Sequence, residues 1–172
     1  SSDLYQMMGL TLSDPAHVEA GGAMDGMGLL PVHTTFCADK TTTQVHGAIG
    51  HLTGMFAALT GVHIDGYEIH MGETTYEPEA DNFSEIQRGT RPVVDGAQCG
   101  SCYGTYVHGV FDREEVSRTF VTALLESKGL SVHDVQTFDA ETYKQQQYDL
   151  LADAVREALD MDAIYRILNR EV

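Results

Sequence analysis

The chain has 172 residues, 42% of them hydrophobic and 21% charged, a balance typical of one globular domain with a core and not of a disordered segment. Acidic residues outnumber basic ones 26 to 10, and the net charge of −16 argues against nucleic-acid or anionic-membrane partners. No apolar run approaches the ~20 residues that span a bilayer and no signal peptide is visible, so we expect a soluble, cytoplasmic protein.

The predicted elements begin with a short apolar helix in the first twelve residues. A turn follows at Ser13-Asp14-Pro15, and the glycine-rich stretch from Gly21 to Gly28 predicts a loop. Runs of β-branched, aromatic and aliphatic residues then predict strands near Val32–Phe36, Thr42–Ile49, Tyr67–Met71 and Tyr103–Val107. Val93-Val94-Asp95-Gly96 reads as strand and turn leading into the last of these.

The C-terminal third has the apolar period of helices. Asp112 is predicted to cap a first helix that ends at Lys128-Gly129, and a second helix is predicted from about Ala140. Asp160 is predicted to cap a short final helix. Strands followed by helices indicate an α/β layered domain. The βαβ units that usually open a doubly wound sheet are not visible.

His108 follows the strand-forming pair Tyr106-Val107 and precedes Gly109, which places it at the end of a strand. Ligands bind beyond the carboxyl ends of strands in open α/β sheets. An imidazole there suits general acid–base chemistry. A hydrogen-bonded structural histidine is the alternative for an isolated His-Gly pair.

Glu68 and His70 lie two apart in a predicted strand and therefore face the same side. A carboxylate beside an imidazole raises its basicity and fixes its tautomer. A partly buried polar network without a catalytic role explains the same spacing, and spacing alone favours that simpler interpretation.

The three cysteines are too few for a disulfide framework and fit a reducing compartment. Cys99-Gly100-Ser101-Cys102 is a CxxC motif, but Cys37 stands alone and no second ligand pair has zinc-site spacing. A redox motif would open a helix after a strand, whereas this one precedes a strand. We therefore predict a surface turn. The other histidines are treated as structural, and no metal site is predicted.

No phosphate-binding loop and no dinucleotide fingerprint occurs in the sequence. No ATP site is therefore expected in this chain, and no cofactor is assigned to it.

Six segments in the same order resemble the glutamine amidotransferase domain of cobyric acid synthases. The segments, which extend over nearly the whole chain, are Tyr5-Gln6-Met7-Met8-Gly9, Gly26–Val32, Thr43–Gly47, Gly66–Gly72, Gly104–Asp112 and Tyr148–Tyr165. The resemblance implies a class I glutamine amidotransferase-like (flavodoxin-like) α/β domain that lacks its N-terminal βαβ part. Residues 1–172 would then be the C-terminal portion of that domain.

In this family the domain hydrolyses glutamine, and the ammonia amidates adenosylcobyrinic acid a,c-diamide on a separate synthetase domain that uses ATP and magnesium. The resemblance implies that His108 is the catalytic histidine. Gln6, with Tyr5 beside it, falls where related glutaminases keep residues near the substrate. Glu68 and His70 belong to a family hallmark and are supporting candidates. The partners implied are glutamine and, through the synthetase domain, the corrin.

The sequence departs from the family at the nucleophile. The pattern Gly-x-Cys-Gly-Gly-Tyr-Gln places Ser2 at the cysteine, and Asp3 and Leu4 at the two glycines. A nucleophile elbow needs small residues around its oxyanion site, and serine replaces a thiolate poorly. We therefore expect the chain alone not to hydrolyse glutamine.

Two other functions remain open. The chain could be a non-catalytic amidotransferase-like binding module, or the amidotransferase partner of another ligase. A sheet without its early strands would leave an unpaired edge and an apolar face, so self-association through that edge is expected.

Overall fold

The computed structural model describes residues 2–132 and 140–170. The chain divides into two compact units, Ser1–Thr137 and Phe138–Val172. The first unit holds the sheet and most of the sequence motifs. The second unit is helical.

The first unit opens with α1 (Ser2–Met7), followed by β1 (Thr11–Asp14) and β2 (Gly22–Asp25). The predicted N-terminal helix is confirmed over Ser2–Met7, but Thr11 and Leu12, which the prediction included, belong to β1. The predicted turn at Ser13–Pro15 and the predicted loop from Gly21 are wrong in part, because strands occupy both. The reason is Asp14, whose carboxylate accepts hydrogen bonds from three backbone amides between residues 18 and 21, at 2.8–2.9 Å. These bonds close a tight connection that returns β2 antiparallel to β1.

Two long antiparallel strands form the centre of the sheet, β3 (Val32–Ile49) and β4 (His63–Tyr76). The two predicted strands at Val32–Phe36 and Thr42–Ile49 are therefore one element. The register between β3 and β4 shifts between Thr35 and Lys40. That irregularity explains why the sequence pattern reads as two segments.

The remaining strands are short. They are β5 (Ser84–Arg88), β6 (Arg91–Asp95), β7 (Ala97–Cys99), β8 (Cys102–Gly104) and β9 (Val107–His108), and a 3₁₀ segment at Gly54–Leu59 connects β3 to β4. The predicted strand at Tyr103–Val107 is thus broken between β8 and β9. Asp95 accepts a hydrogen bond from the Tyr106 amide at the break, which takes that amide out of the ladder.

Seven of these strands form one mixed sheet. Its order is β2-β1-β3-β4-β9, with β5 paired to β3 and β6 paired to β5. Within the described residues only β1 and β3 are paired in parallel, and the chain between them runs through β2, not through a helix. A mixed sheet with helices confirms the α/β prediction.

The CxxC motif forms the turn of a two-stranded hairpin. Cys99 of β7 pairs with Cys102 of β8, and Gly100 adopts a left-handed φ of 59°. The predicted surface turn is therefore confirmed, and all three cysteines are free thiols.

The helix α2 (Glu114–Ser127) closes the first unit. The predicted cap at Asp112 is wrong. Arg113 occupies the cap position and makes no side-chain cap bond, whereas the Asp112 amide donates to Gly109 in a turn. The predicted end is confirmed, since Lys128 is the C-cap residue and Gly129 has a φ of 67°.

The main core lies between the sheet, the 3₁₀ segment and α2. Its buried residues are Val45, Ile49, Leu52, Phe56, Leu59, Ile64, Phe83, Ile86, Val107, Val110, Val116 and Ala123. A smaller cluster of Tyr5, Leu30, Val32, Ala97 and Tyr106 packs α1 against the sheet. This second cluster places α1 beside the residues that precede His108.

The second unit contains α3 (Ala140–Ala158) and α4 (Met161–Leu168). The helix predicted from about Ala140 is confirmed. Asp160 caps α4 as predicted, because its side chain accepts a hydrogen bond from the Ala163 amide at 2.9 Å. In the described part of the chain no helix has the length and apolarity needed to cross a membrane.

Candidate active site

An open cavity of about 370 Å³ lies where α1, β3, β4 and β9 approach one another. It brings together three of the residues singled out from the sequence, Gln6, His70 and His108. The full lining is Asp3, Gln6, Glu19, Phe36, Lys40, Tyr67, Ile69, His70, Met71 and His108. Carboxylates, an ammonium group, imidazoles and an amide therefore share one concave surface.

His108 ends β9, as the sequence predicts, and pairs with Tyr67 of β4. The two rings are stacked, with 5.2 Å between centroids and 8° between planes. Gly66 allows this close approach, since a Cβ at that position would lie 2.2 Å from the carbonyl oxygen of His108. Gly109 then turns the chain away with a φ of 86°, a conformation that favours glycine.

The Nε2 atom of His108 is buried and has no hydrogen-bond partner within the described residues. Leaving a buried polar nitrogen without a partner costs about 1–3 kcal/mol. Such atoms call for an explanation by function or by a bound molecule. An unpartnered imidazole nitrogen on a cavity is able to accept and return a proton.

Glu68 is fully buried and forms a two-point ion pair. It accepts hydrogen bonds from Nε and Nη2 of Arg88, each at 2.9 Å. Burial alone would raise the pKa of Glu68, but His70 and Arg88 outweigh burial and hold the pKa below its ordinary value. The same carboxylate raises the pKa of Arg88 through their hydrogen bonds. Glu68 is therefore a stable buried anion.

His70 lies beside this pair, with its Nε2 atom 3.7 Å from Oε1 of Glu68, as expected for residues on one face of a strand. Its Nδ1 atom is 3.1 Å from the carbonyl oxygen of Gly72 and must donate there, which fixes the ring orientation. The ring stacks on Tyr106 with 3.8 Å between centroids.

Glu68 pairs in register with Val107, one residue before His108, and its carboxylate is directed at His70 and Arg88. Alternation along β4 places it on the opposite face from Tyr67, the residue that stacks on His108. The contacts therefore match the polar network that the spacing favoured.

Gln6 reaches the cavity from α1. Its Nε2 atom donates to the carbonyl oxygen of Met71 and to Oη of Tyr106, both at 3.3 Å. Tyr5 points elsewhere, with its ring edge-on to Tyr106 at 4.8 Å and its side chain among the lining of a separate apolar cavity. Burial raises the pKa of Tyr5. The assignment of both residues to substrate binding stays a prediction.

The sequence reasoning missed Tyr106, Arg88 and Asp95. Tyr106 joins Gln6 to His70, and its position two residues before His108 was the available signal. Arg88 gave no local signal, because its partner lies 20 residues away on another strand. The acidic end of the Val93–Asp95 run, just before Gly96, was a signal that could have identified Asp95.

The residue aligned with the family nucleophile, Ser2, begins α1. Asp3 follows on the lining of the open cavity. Within the described residues no three His, Cys, Asp or Glu side chains are grouped to hold a metal ion.

A family model for the CobB/CobQ-like glutamine amidotransferase domain matches residues 4–116. The chain belongs to this family. The match includes the last four residues of α1, the whole mixed sheet and both histidine segments, and the fold is that of a class I glutamine amidotransferase-like domain.

Three curated relatives are named cobyric acid synthase. The protein from Ruminiclostridium cellulolyticum is 45% identical over 98% of this chain, and that from Lachnoclostridium phytofermentans is 41% identical over 98%. The protein from Citrobacter koseri is 44% identical over 96% of this chain. The chain spans about a third of the length of these relatives, 34%, 35% and 33% respectively.

Proposed function

We propose that this chain is the glutamine amidotransferase part of a cobyric acid synthase. Ammonia released from glutamine would amidate carboxylates of adenosylcobyrinic acid a,c-diamide in cobalamin biosynthesis. The observation that carries the proposal is His108, which lines the cavity in the part of the chain that matches the family and whose buried Nε2 atom has no hydrogen-bond partner among the described residues.

The cavity has the charges that a free amino acid requires. Lys40 offers an ammonium group to a carboxylate, whereas Glu19 offers a carboxylate to an α-amino group. Gln6 adds an amide at the same surface. Groups of both signs in one cavity suit a zwitterion such as glutamine better than a nucleotide or a lipid.

His108 would serve in both halves of the hydrolysis. Its Nε2 atom would take the proton of a cysteine thiol, and the thiolate would attack the side-chain carbonyl carbon of glutamine. The proton would then pass to the departing nitrogen, which leaves as ammonia. Water would complete the cycle by hydrolysing the thioester to glutamate.

Ser2 stands at the nucleophile position, and Asp3 adds negative charge where the oxyanion would develop. We therefore propose that the chain by itself does not hydrolyse glutamine. His108 would act when these residues are joined to a preceding segment that has the cysteine of the family pattern.

We propose that ATP and magnesium are used on another domain. The described part of the chain holds no grouping of three metal-binding side chains, and the sequence has no phosphate-binding loop. No step driven by ATP would then involve the side chains of this cavity.

A chimera tests the proposal. Residues 5–172 of this chain would replace the matching third of the Ruminiclostridium cellulolyticum synthase, which keeps its own preceding residues. We expect the chimera to amidate its corrin with either glutamine or ammonium chloride as nitrogen donor. His108→Asn should lower glutamine-dependent kcat/KM by about 10²–10⁴-fold and leave ammonia-dependent turnover unchanged.

The matched control is His51→Asn, which changes an exposed histidine outside the cavity lining and should leave both activities intact. A chimera that uses ammonia but never glutamine would overturn the proposal and favour a binding module. Full glutamine-dependent activity after His108→Asn would remove His108 from the mechanism. The chain alone should release no ammonia from glutamine.

A further inference from the structure

The segment between β8 and β9 is held by one buried carboxylate. Thr105 and Tyr106 belong to neither strand. The Tyr106 amide donates to Oδ1 of Asp95 at 3.0 Å, and the Thr105 hydroxyl donates to Oδ2. The Thr105 hydroxyl oxygen also accepts from the Val107 amide at 2.9 Å. The residues just before His108 therefore depend on Asp95 directly or through Thr105.

The strand that carries His108 has little support of its own. β9 has two residues, and its described ladder consists of two pairings with β4. Such a short strand fixes the position of its last residue only weakly. The hydrogen bonds from Asp95 immediately upstream supply the missing constraint.

Asp95 is an unusual hydrogen-bond acceptor for a backbone turn, because its side chain is buried. Asp95 is 2% exposed and has no ion-pair partner in the described residues. Its third donor is the Ser84 hydroxyl at 3.1 Å. Burial of a carboxylate among neutral groups is costly. Each of the three donors is matched by an oxygen of this carboxyl group, and leaving a buried polar group without its partner costs about 1–3 kcal/mol, so the turn is held firmly.

The segment also carries Tyr106, whose ring stacks on His70 and whose hydroxyl accepts from Gln6. A rotation of the backbone at Tyr106 would therefore disturb its contacts with Gln6 and His70 and would also displace His108. Asp95 controls that rotation through the Tyr106 amide.

We propose that Asp95 is a positioning residue that holds His108 at the cavity through the Thr105–Val107 segment. Its importance for catalysis rests on the function proposed above, but its structural effect does not. Asp95 does not touch the imidazole of His108, and it acts through the backbone.

The structural effect is tested on the full chain by NMR. Asp95→Asn weakens the acceptor for the Tyr106 amide, and Thr105→Val removes the acceptor for the Val107 amide. We expect about tenfold or faster hydrogen exchange at Tyr106 and Val107 respectively, because a bond to a charged or buried acceptor is lost. In both variants the ring nitrogen signals of His108 should shift or broaden.

Two variants are matched controls. Thr105→Ser keeps the hydroxyl and should restore the wild-type His108 signals. Ser84→Ala removes an Asp95 contact that does not touch the segment, so the His108 signals should stay unchanged. If Asp95→Asn does not fold, the comparison of Thr105→Val with Thr105→Ser decides the question. Unchanged His108 signals in Thr105→Val would overturn the proposal.

The chimera separates this inference from the proposed function. There Asp95→Asn should lower glutamine-dependent kcat at least about tenfold, with ammonia-dependent turnover and melting temperature close to wild type. Loss of ammonia-dependent turnover as well would indicate a general structural role and would contradict positioning. A wild-type chimera without glutamine-dependent activity would overturn the proposed function alone, since the His108 signals are measured independently.

Discussion

Glu68 and Asp95 are both buried carboxylates near the cavity, but their surroundings differ. Glu68 is paired with the guanidinium of Arg88, whereas Asp95 accepts hydrogen bonds from two hydroxyls and one amide. Arg88 and His70 lower the pKa of Glu68, whereas burial raises the pKa of Asp95. Glu68 has a cation beside it, whereas Asp95 has only neutral donors, and this difference favours ionisation of Glu68.

The two regions also support the cavity differently. The Glu68 region links β4 to β5 and orients His70 through side chains. The Asp95 region fixes the backbone before His108. A change at Glu68 should therefore act mainly on stability, and a change at Asp95 mainly on geometry.

The largest expected effect breaks the Glu68 ion pair. Arg88→Met leaves a fully buried carboxylate without its cation and should lower the free energy of unfolding by about 3 kcal/mol. Glu68→Gln should cost only about 1 kcal/mol, because the side chain of Arg88 is 38% exposed and can be hydrated. Urea unfolding of the two variants measures this asymmetry. The double variant should be more stable than Arg88→Met, and equal losses in the two single variants would contradict the account.

A second substitution tests the close contact between β4 and β9. In Gly66→Ala the new Cβ would lie 2.2 Å from the backbone oxygen of His108, so the strands must part. We expect a loss of about 2 kcal/mol and a changed His108 ring signal. Gly50→Ala is the milder control, because its Cβ would come no closer than 3.0 Å to a neighbour. A Gly66→Ala variant as stable as the control would show that β9 does not depend on this approach.

The pH dependence of stability should have opposite signs at the two carboxylates. The pKa of Glu68 is lowered on folding, so its contribution is present above the ordinary carboxyl range and is lost as pH falls toward the folded value. The pKa of Asp95 is raised, so stability falls as pH rises from the ordinary range through the folded value. The free energy of unfolding should therefore decline less at acid pH in Glu68→Gln than in the wild type, and the remaining decline would come from groups such as Asp14, whose pKa is also lowered. In Asp95→Asn a decline at higher pH should disappear, and identical pH profiles in the two variants would contradict this.

The smallest effect is expected at an exposed pair. Arg156 lies 2.9 Å from Asp153 in α3, and both side chains are more than 60% exposed. Arg156→Gln should change the free energy of unfolding by less than about 0.5 kcal/mol. A loss as large as that of Arg88→Met would show that burial is not what gives the Glu68 pair its strength.

Local patterns predicted the parts of the fold that depend on neighbours in sequence. The alternation of Glu68 and His70 predicted their shared face, and Gly129 and Asp160 predicted helix boundaries correctly. The prediction of a helix cap at Asp112 was wrong because Asp112 lies in a turn, where its amide donates to the carbonyl oxygen of Gly109. The strands β1 and β2 were missed because glycine and proline suggested loops, whereas long-range pairing decides strand formation.

The residues of the candidate site also show that local sequence patterns do not reveal contacts between distant residues. His108 was proposed from a local motif, and Gln6 was proposed from a resemblance. Arg88 and Asp95 act on residues 20 and about ten positions away through contacts that only the folded sheet creates. The acidic residue before Gly96 marks Asp95 as unusual, but no period or spacing in the sequence shows which groups Asp95 and Arg88 contact.

The hydrogen bond from Gln6 to Tyr106 joins residues 100 positions apart. Closing so long a loop is entropically unfavourable until the intervening strands are already paired. The Glu68–Arg88 pair spans only 20 positions. In refolding we therefore expect the ion pair to form early and α1 to dock late, so that the cavity becomes competent to bind a ligand only in the final phase.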